Sequence, residues 1–233
     1  MPAGLDNSRK FVILTDGRLD PLPAKTAVCM VRYRPQQVVA LLDRSAAGQT
    51  SGQVWGVGGD IPFIASLDQA PTGNALLIGI ALPGGQFPPE WREIVLDAIR
   101  RKMDIISGMH DLLREDPQFR QAAADHGVRL IDLRDNDEHD VASREGIRPD
   151  CLRIHTIAND CSCGKMVTSV EIAQGATRRG IDAAFVATGQ TGMLIAGGGV
   201  CVDRVISNFV SGAAERLVLD NQHHEVIVIE GQG

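Results

Sequence analysis

A short polar loop that ends in a Gly-Lys pair carries the clearest chemistry in this sequence. It reads Ile-Ala-Asn-Asp-Cys-Ser-Cys-Gly-Lys-Met over 157–166, between the apolar run 152–157 and a helical pattern that begins near Lys165. A strand, a tight loop, Gly-Lys and a helix make up a phosphate-binding P-loop, whose backbone N–H groups and helix N-terminus face an anion. The usual pattern G-x-x-x-x-G-K-[ST] has Asn159 in place of its first glycine and Met166 in place of its final hydroxyl residue. Because that hydroxyl normally ligates Mg²⁺, the sequence predicts phosphate binding more firmly than metal-dependent phosphoryl transfer.

Several side chains of this loop are candidates for binding or catalysis. Lys165 would bring a full positive charge to a bound phosphate. Asp160 is either a general base or amine anchor, or a residue that fixes the shape of the loop. Cys161 and Cys163 either include a reactive thiolate near the helix N-terminus or fill a tight loop with small side chains. The residues expected to bind a phosphate-bearing ligand, including two from the Thr-Gly-Gln-Thr-Gly stretch after the next strand, are Asn159, Cys161, Ser162, Cys163, Gly164, Lys165, Met166, Gln190 and Thr191.

Two further residues stand directly after predicted strands. His110 lies in Ser-Gly-Met-His-Asp, just past 104–107, and is either an acid–base catalyst or a solvated loop histidine. Glu230 ends the last predicted strand, where a carboxylate could ligate a metal ion if the loop binds ATP with Mg²⁺. The candidate catalytic residues are therefore Asp160 and His110, and Glu230 is a metal ligand only in the ATP case.

The elements that must position these residues alternate between apolar runs and helical patterns. The helical pattern 89–101 carries an i, i+3, i+4 apolar stripe, and 117–126 ends before Gly127, a residue typical of helix C-termini. Strands that alternate with helices indicate a mostly parallel sheet with helices packed on it. The predicted strands are 11–14, 38–42, 63–66, 75–81, 104–107, 128–132, 152–157, 182–187 and 225–229, and the remaining predicted helices are 165–179 and 203–219.

The chain is accordingly predicted to have an α/β fold in three parts. Residues 1–134 form a Rossmann-like parallel α/β domain. Residues 135–150 form a charged linker, almost free of large apolar side chains. Residues 151–233 form a P-loop NTPase-like α/β domain. Three strands make a thin sheet for a domain of this class, so we expect this second domain to be incomplete at its C-terminus.

Composition and charge narrow the classes of partner. A net charge of −6 and a pI near 5.5 argue against nucleic acid, which requires a basic surface. No run approaches the ~18 apolar residues of a membrane span, and the polar N-terminus shows no signal peptide. Five cysteines do not suggest a disulfide framework, so a cytoplasmic location is expected. The expected partner is a small-molecule amino-acid substrate, without nucleic acid or membrane, and a homo-oligomer is compatible with the sequence.

Taken together, the motifs resemble a two-domain, P-loop-containing family, the DgcN-like D-glutamate N-acetyltransferases. The resemblance covers nearly all of the chain. The segments that carry it are 159–165, 185–192, 209–215 and 230–233 in the second domain, and 38–43, 61–62, 77–81, 83–85, 88–92 and 104–111 in the first. The family's usual Gly-Thr before the loop aspartate is Ala158-Asn159 here, and the family continues well past the final Glu-Gly-Gln-Gly.

The resemblance implies transfer of an acetyl group from acetyl-CoA to the amine of D-glutamate or a related amino acid. The coenzyme carries a pyrophosphate and a ribose phosphate, so the loop could hold acetyl-CoA without hydrolysing it, and Met166 is then compatible with function. The attacking amine must be neutral, so a carboxylate or histidine is required as general base, with Asp160 and His110 as candidates. The alternatives are an ATP- and Mg²⁺-dependent ligase or kinase resembling dethiobiotin synthetase, and a nucleotide-binding protein without turnover.

Overall fold

The computed structural model describes residues 8–70, 72–81 and 85–232. Residues 1–7 of the predicted first domain, residue 233 of the predicted second domain and residues 83–84 of the segment 83–85 lie outside the described residues. Contacts divide the chain between Leu133 and Arg134 into two units, each with its own parallel sheet. The strands are β1 (Phe11–Leu14), β2 (Val38–Leu42), β3 (Phe63–Ile64), β4 (Ala75–Ile78), β5 (Asp104–Ser107), β6 (Leu130–Asp132), β7 (Leu152–His155), β8 (Ala183–Val186) and β9 (Val226–Ile229). The helices are α1 (Lys25–Tyr33), α2 (Ser51–Trp55), α3 (Arg92–Arg100), α4 (Pro117–His126), α5 (Lys165–Thr177), α6 (Gln190–Ala196) and α7 (Val210–Asn221). Within the described ranges, none of these helices combines the length and apolar character needed to cross a membrane.

The first unit is built on a six-stranded sheet in the order β3-β2-β1-β4-β5-β6. All of its strand pairs are parallel. β1 and β4 are buried at every position, as expected for parallel strands covered by helices on both faces. The strand order reverses between β1 and β4, which is the arrangement of doubly wound, Rossmann-like folds. The predicted Rossmann-like fold of this unit is therefore confirmed.

Helix α4 shows how local sequence fixes an element of this unit. The carboxylate of Asp116 accepts hydrogen bonds from the backbone N–H groups of Gln118 and Phe119 at the helix start. Pro117 occupies the first helical position, where its missing N–H costs nothing. Gly127 closes the helix with a φ of 66°, a left-handed conformation that glycine adopts readily. The predicted helix over 117–126 is thus confirmed at both ends.

Helices α1, α2 and α6 are absent from the sequence-based prediction. The residue before α1, Ala24, makes no side-chain hydrogen bond to the helix start, so no capping residue marks its beginning. Helix α6 begins directly after Gly189 and contains Gly192, and glycine lowers the intrinsic helix propensity. Helix α2 does carry a local signal, since Thr50 and Gln53 form a capping box at its start, whereas α1 and α6 depend more on contacts with other parts of the chain.

The second unit contains a three-stranded parallel sheet in the order β7-β9-β8. Central β9 has fully buried Ile227 and Val228, whereas Leu152 on edge strand β7 is 59% exposed. The α-helix predicted over 203–219 instead begins at Val210, because two short 3-10 turns precede it. The predicted P-loop NTPase-like α/β fold, with a parallel sheet, is confirmed.

The segment 135–150, predicted to be a charged linker, has no regular helix or strand but is attached to the second unit. The backbone N–H groups of Ser143 and Arg144 donate to the carboxylate of Glu215 on α7, at 2.7 and 2.5 Å. These hydrogen bonds, led by the one from Ser143, lower the pKa of Glu215. The segment differs from a free linker because its backbone donors find acceptors on α7 rather than only in water.

Replacing Ile227 with alanine should destabilise the second unit by about 2–5 kcal/mol, because its side chain is fully buried in the central strand. The matched change Leu152→Ala on the exposed edge strand should cost less than about 1 kcal/mol. Hydrogen exchange of peptides from β7, β8 and β9 measures both effects. An equal loss of protection in the two variants would contradict this assignment of core and edge.

Asp104, at the start of β5, links distant parts of the first unit. Its carboxylate accepts hydrogen bonds from Arg9 Nη2 at 2.8 Å and from the Arg129 backbone N–H at 2.7 Å. Burial alone would raise the pKa of Asp104, but the Arg129 N–H and the guanidinium groups of Arg9 and Arg129 outweigh it and hold the pKa below its usual value. A carboxyl group of this kind contributes stability above its unfolded-state pKa, and the contribution is lost as the pH falls through its folded-state pKa.

We therefore expect the first unit to lose stability below about pH 4, and Asp104→Asn to weaken this pH dependence while costing about 1–3 kcal/mol at neutral pH. Both tryptophans, Trp55 and Trp91, lie in this unit, so urea unfolding followed by their fluorescence measures its stability. Asp125→Asn, at an exposed position on α4, is the matched control. Parallel pH profiles for the wild type and Asp104→Asn would show that Asp104 is not responsible.

Candidate functional site

The carboxyl ends of β7, β8 and β9 lie at one edge of the second sheet, because all three strands are parallel. The loop 156–164 follows β7, the turn 187–189 follows β8, and 230–232 follow β9. Open α/β sheets bind their ligands outside this edge. These three segments therefore form the candidate site.

The loop after β7 contains two residues in the left-handed backbone conformation. Ser162 and Gly164 have φ angles of 55° and 97°, and Gly164 directly precedes α5. Left-handed residues in such a turn point neighbouring N–H groups toward one side and make a concave site for anions. The N-terminus of the 13-residue helix α5 adds partial positive charge at the same place. Glycine is required at 164, since other residues rarely adopt this φ.

The side chain of Lys165 folds back over its own loop. Its Nζ donates to the carbonyl oxygen of Asp160 at 2.5 Å and lies 3.7 Å from Cys163 Sγ. A bound phosphate would compete with that carbonyl for the ammonium group, since charge-assisted hydrogen bonds are the stronger ones. The Asp160 carboxylate accepts the Cys161 N–H at 2.7 Å, a contact within the loop that is compatible with both roles expected for it.

The five cysteines differ in accessibility. Cys161 and Cys163 are exposed in the loop, whereas Cys29, Cys151 and Cys201 are buried. Burial raises the pKa of the Cys201 thiol to about 12, so it stays protonated and unreactive at neutral pH. The loop pair is therefore the pair whose thiols solvent and reagents can reach.

A hydroxyl network supports the base of the loop. Thr156 accepts a hydrogen bond from the Gly231 N–H at 3.1 Å, and its hydroxyl lies 2.8 Å from that of Ser169. Ser169 also donates to the Lys165 carbonyl at 3.1 Å. A Cβ at position 231 would overlap the Thr156 carbonyl oxygen, so glycine is required there. The sequence alone does not single out these residues. A usable signal is a hydroxyl residue directly after a strand, combined with a second hydroxyl residue that lies one helical turn after Lys165.

Glu230 is buried at the end of β9. Its Oε2 accepts hydrogen bonds from the N–H groups of Thr188 and Gly189, at 3.1 and 3.2 Å. Its backbone carbonyl accepts the Thr188 hydroxyl at 2.8 Å. Through Oε2, the carboxylate thus stabilises the turn that begins α6. Within the described ranges, no group of three or more His, Cys, Asp and Glu side chains is arranged to hold a metal ion.

The structure brings most of the predicted site residues to this edge. The predicted binding residues 159–166 share the loop and the first turn of α5, and Gln190 and Thr191 begin α6. His110 belongs to the first unit, where its backbone N–H donates a hydrogen bond to the Gly85 carbonyl at 2.9 Å. Asp160 and His110, the two candidate catalytic residues, therefore lie in different units.

The fold and the site define an α/β protein with a Rossmann-like unit followed by a P-loop unit. Residues 44–136 match the family described as "Domain of unknown function (DUF1611_N) Rossmann-like domain". Residues 140–233 match "Domain of unknown function (DUF1611_C) P-loop domain". The chain belongs to the DUF1611 family.

Known proteins resemble this chain in fold and in sequence. A crystal structure of a DUF1611 family protein from Anabaena variabilis aligns with a TM-score of 0.89 and 32% identity, over 97% of this chain and 67% of that one. Two relatives named D-glutamate N-acetyltransferase, from Tritonibacter scottomollicae and a Pseudoalteromonas species, are 34% and 38% identical over 92% and 69% of this chain. The aligned part spans 62% and 48% of the lengths of these two relatives. The family resemblance drawn from the motifs is thereby confirmed.

Glu230→Gln should loosen the turn between β8 and α6. The amide keeps the size of the side chain but loses the charge, so the hydrogen bonds to Thr188 and Gly189 should weaken by about 1–3 kcal/mol in total. Faster hydrogen exchange in peptides that cover 186–197 would report this change. Glu225→Gln, at an exposed position just before the same strand, is the matched control. Identical exchange in both variants would show that the carboxylate does not hold the turn.

Proposed function

We propose that this protein transfers an acetyl group from acetyl-CoA to the amine of D-glutamate or a related amino acid, and that the loop 159–165 binds phosphates of the coenzyme. The observation that carries the proposal is the loop itself, which brings together two left-handed residues, a helix N-terminus and the ammonium group of Lys165. The reaction class comes from the name of the two relatives, D-glutamate N-acetyltransferase.

The loop residues suit the phosphates of such a coenzyme. Each charge-assisted hydrogen bond from Lys165 or a backbone N–H contributes about 1.5–3 kcal/mol. Three or four of them, less the cost of association, correspond to a dissociation constant on the order of micromolar. Phosphate binding of this kind needs no metal ion, so Met166 in place of a hydroxyl residue is no obstacle.

Acetyl transfer also requires a group that accepts a proton. The coenzyme supplies a thioester carbonyl; the neutral amine attacks its carbon, the coenzyme thiolate leaves, and a general base takes the amine proton. Asp160 is exposed, and its Oδ1 already accepts the Cys161 N–H, so its other oxygen is the candidate acceptor of the proton. His110, also exposed, is the second candidate.

The ATP- and Mg²⁺-dependent ligase or kinase is the alternative. It requires a hydroxyl at position 166 and a carboxylate that ligates Mg²⁺. Position 166 is methionine, and the Glu230 carboxylate is hydrogen-bonded to the N–H groups of Thr188 and Gly189. These two observations favour the transferase. A nucleotide-binding protein without turnover would bind the ligand but form no product.

Isothermal titration calorimetry with acetyl-CoA and with ATP, each with and without Mg²⁺, tests the proposal. Acetyl-CoA should bind independently of Mg²⁺, and Lys165→Ala should weaken this binding by roughly 10- to 150-fold, because a charged hydrogen-bond donor to phosphate is lost. Formation of N-acetyl-D-glutamate, with L-glutamate as the comparison, tests the reaction itself.

Arg179→Ala is the matched control, since it removes one positive charge just beyond the opposite end of α5 and should leave binding unchanged. ATP binding that requires Mg²⁺ would favour the ligase or kinase instead. Binding of acetyl-CoA that survives in Lys165→Ala would place the coenzyme phosphates outside this loop. Binding without any acetylated product would favour the protein without turnover.

A further inference from the structure

A cavity of about 330 Å³ lies in the first unit, at the carboxyl ends of β1, β2 and β3. Asp16 stands just after β1, Leu42 and Arg44 at the end of β2, and Ala65 directly after β3. Doubly wound sheets bind ligands at this edge, beside the point where the strand order reverses. Because small-molecule sites measure roughly 300–1,000 Å³, the cavity suits a single small ligand.

Arg44 gives the cavity a flat, fixed wall. Its Nε and Nη2 donate to the two carboxylate oxygens of Asp16, at 2.9 and 2.5 Å. The Asp16 side chain is 7% exposed, whereas that of Arg44 is 68% exposed. A bidentate pair of this kind holds the guanidinium plane in one orientation. A guanidinium held in place and still largely exposed is a surface on which an aromatic ring can stack.

The remaining walls are apolar and charged. Leu42, Leu67 and Ile94 provide apolar contact, and Glu93 and Asp97, one turn apart on α3, provide carboxylates. Arg100 also lines the cavity, with Nη2 at 3.9 Å from an oxygen of each carboxylate, and Asp97 accepts a hydrogen bond from Arg101 Nε at 2.8 Å. Ionised carboxylates only accept hydrogen bonds, and each has two oxygens, so an amino group can donate to them beside the long contacts to Arg100. The walls therefore suit an aromatic ring that carries an amino group.

In the described part of the first unit, this edge differs from the dinucleotide sites of related folds. In folds of this kind, an acidic residue after the second strand usually binds a ribose, and a glycine-rich loop binds the pyrophosphate. Here Asp43 is fully buried and accepts hydrogen bonds from the Thr15 hydroxyl, the Gly17 N–H and both the N–H and the hydroxyl of Ser45. The segment after β1 reads Thr-Asp-Gly-Arg-Leu-Asp and contains no G-x-G-x-x-G. Asp43 is thus unavailable to a ribose, and the segment after β1 lacks the glycine-rich motif that binds a pyrophosphate.

We propose that this cavity binds the adenine ring of a nucleoside or nucleotide, stacked on Arg44, with its exocyclic amine donating to Asp97 or Glu93. The flat cation supplies the stacking surface, the leucine and isoleucine side chains cover the ring edge, and the carboxylates select the amino group. The site lies in a different unit from the loop 159–165, and it does not depend on the function proposed for that loop.

Titration of the full chain with adenosine, by calorimetry and by saturation-transfer NMR, tests the proposal. Adenosine should bind, and uridine, which has no exocyclic amine, should bind much more weakly. Arg44→Leu should lower the adenosine affinity at least about fivefold through the loss of stacking. Ala65→Trp, at an exposed position, should abolish binding by filling the cavity without unfolding the unit, as thermal unfolding can check.

Two controls separate this site from others. Arg120→Ala removes an exposed arginine on α4 outside the cavity and should leave adenosine binding unchanged. Lys165→Ala alters the other unit and should also leave it unchanged, so a failure of the acetyl-CoA proposal and a failure of this one give different results. The proposal is overturned if adenosine does not bind at millimolar concentration, or if Arg44→Leu or Ala65→Trp binds adenosine like the wild type. It is also overturned if Lys165→Ala abolishes adenosine binding, or if D-glutamate displaces adenosine.

Discussion

Loops that follow parallel strands carry backbone N–H groups that need acceptors, and three buried carboxylates at strand ends supply them. Asp43 after β2, Asp132 at the end of β6 and Glu230 after β9 are each at most 9% exposed. Each accepts at least two backbone N–H hydrogen bonds from nearby loops. A buried donor without a partner would cost about 1–3 kcal/mol, so these carboxylates strongly favour one loop conformation. The turns after β1, β2 and β8 and the segment 113–114 are held by this interaction.

The same interaction limits which acidic residues are available for chemistry. Asp43 and Glu230 stand where other α/β proteins place a ribose-binding or metal-binding carboxylate. Here both oxygens of Asp43 and Oε2 of Glu230 accept hydrogen bonds from the loops, so their position along the sequence overstates their availability. Arg44 in the first unit and Lys165 in the second lie at the same two sheet edges and carry the positive charge on which both proposals depend.

The sequence predicts an element of this fold well where the residues that begin and end the element lie beside it in the sequence. The caps Asp116 and Gly127 mark both ends of α4, and the Gly-Lys pair with its flanking apolar run marks the phosphate-binding loop. Helix α6 could not be predicted in this way, because the turn that begins it is held by Glu230, a residue distant in sequence. The roles of Thr156 and Gly231 could not be predicted either, since the hydrogen bond between them forms only when β7 and β9 pair. The strand and helix pattern therefore predicts the fold class and the loop, but not the contacts that hold the loop in place.

The loop 156–164 follows a strand that is only partly covered within this stretch of sequence. In the part of the chain that the structure describes, β7 pairs only with β9, and Leu152 and Ile157 are 59% and 81% exposed. Parallel strands are usually covered on both faces, and the aligned part of this chain spans 62% and 48% of the lengths of its two relatives, so the exposure of β7 describes this stretch alone. Within it, the Thr156 hydroxyl joins Gly231 and Ser169 beneath the loop. Because ordering the backbone costs about 1–2 kcal/mol per residue, this network should reduce the part of the binding energy that goes into ordering the loop, if the loop binds phosphate as proposed.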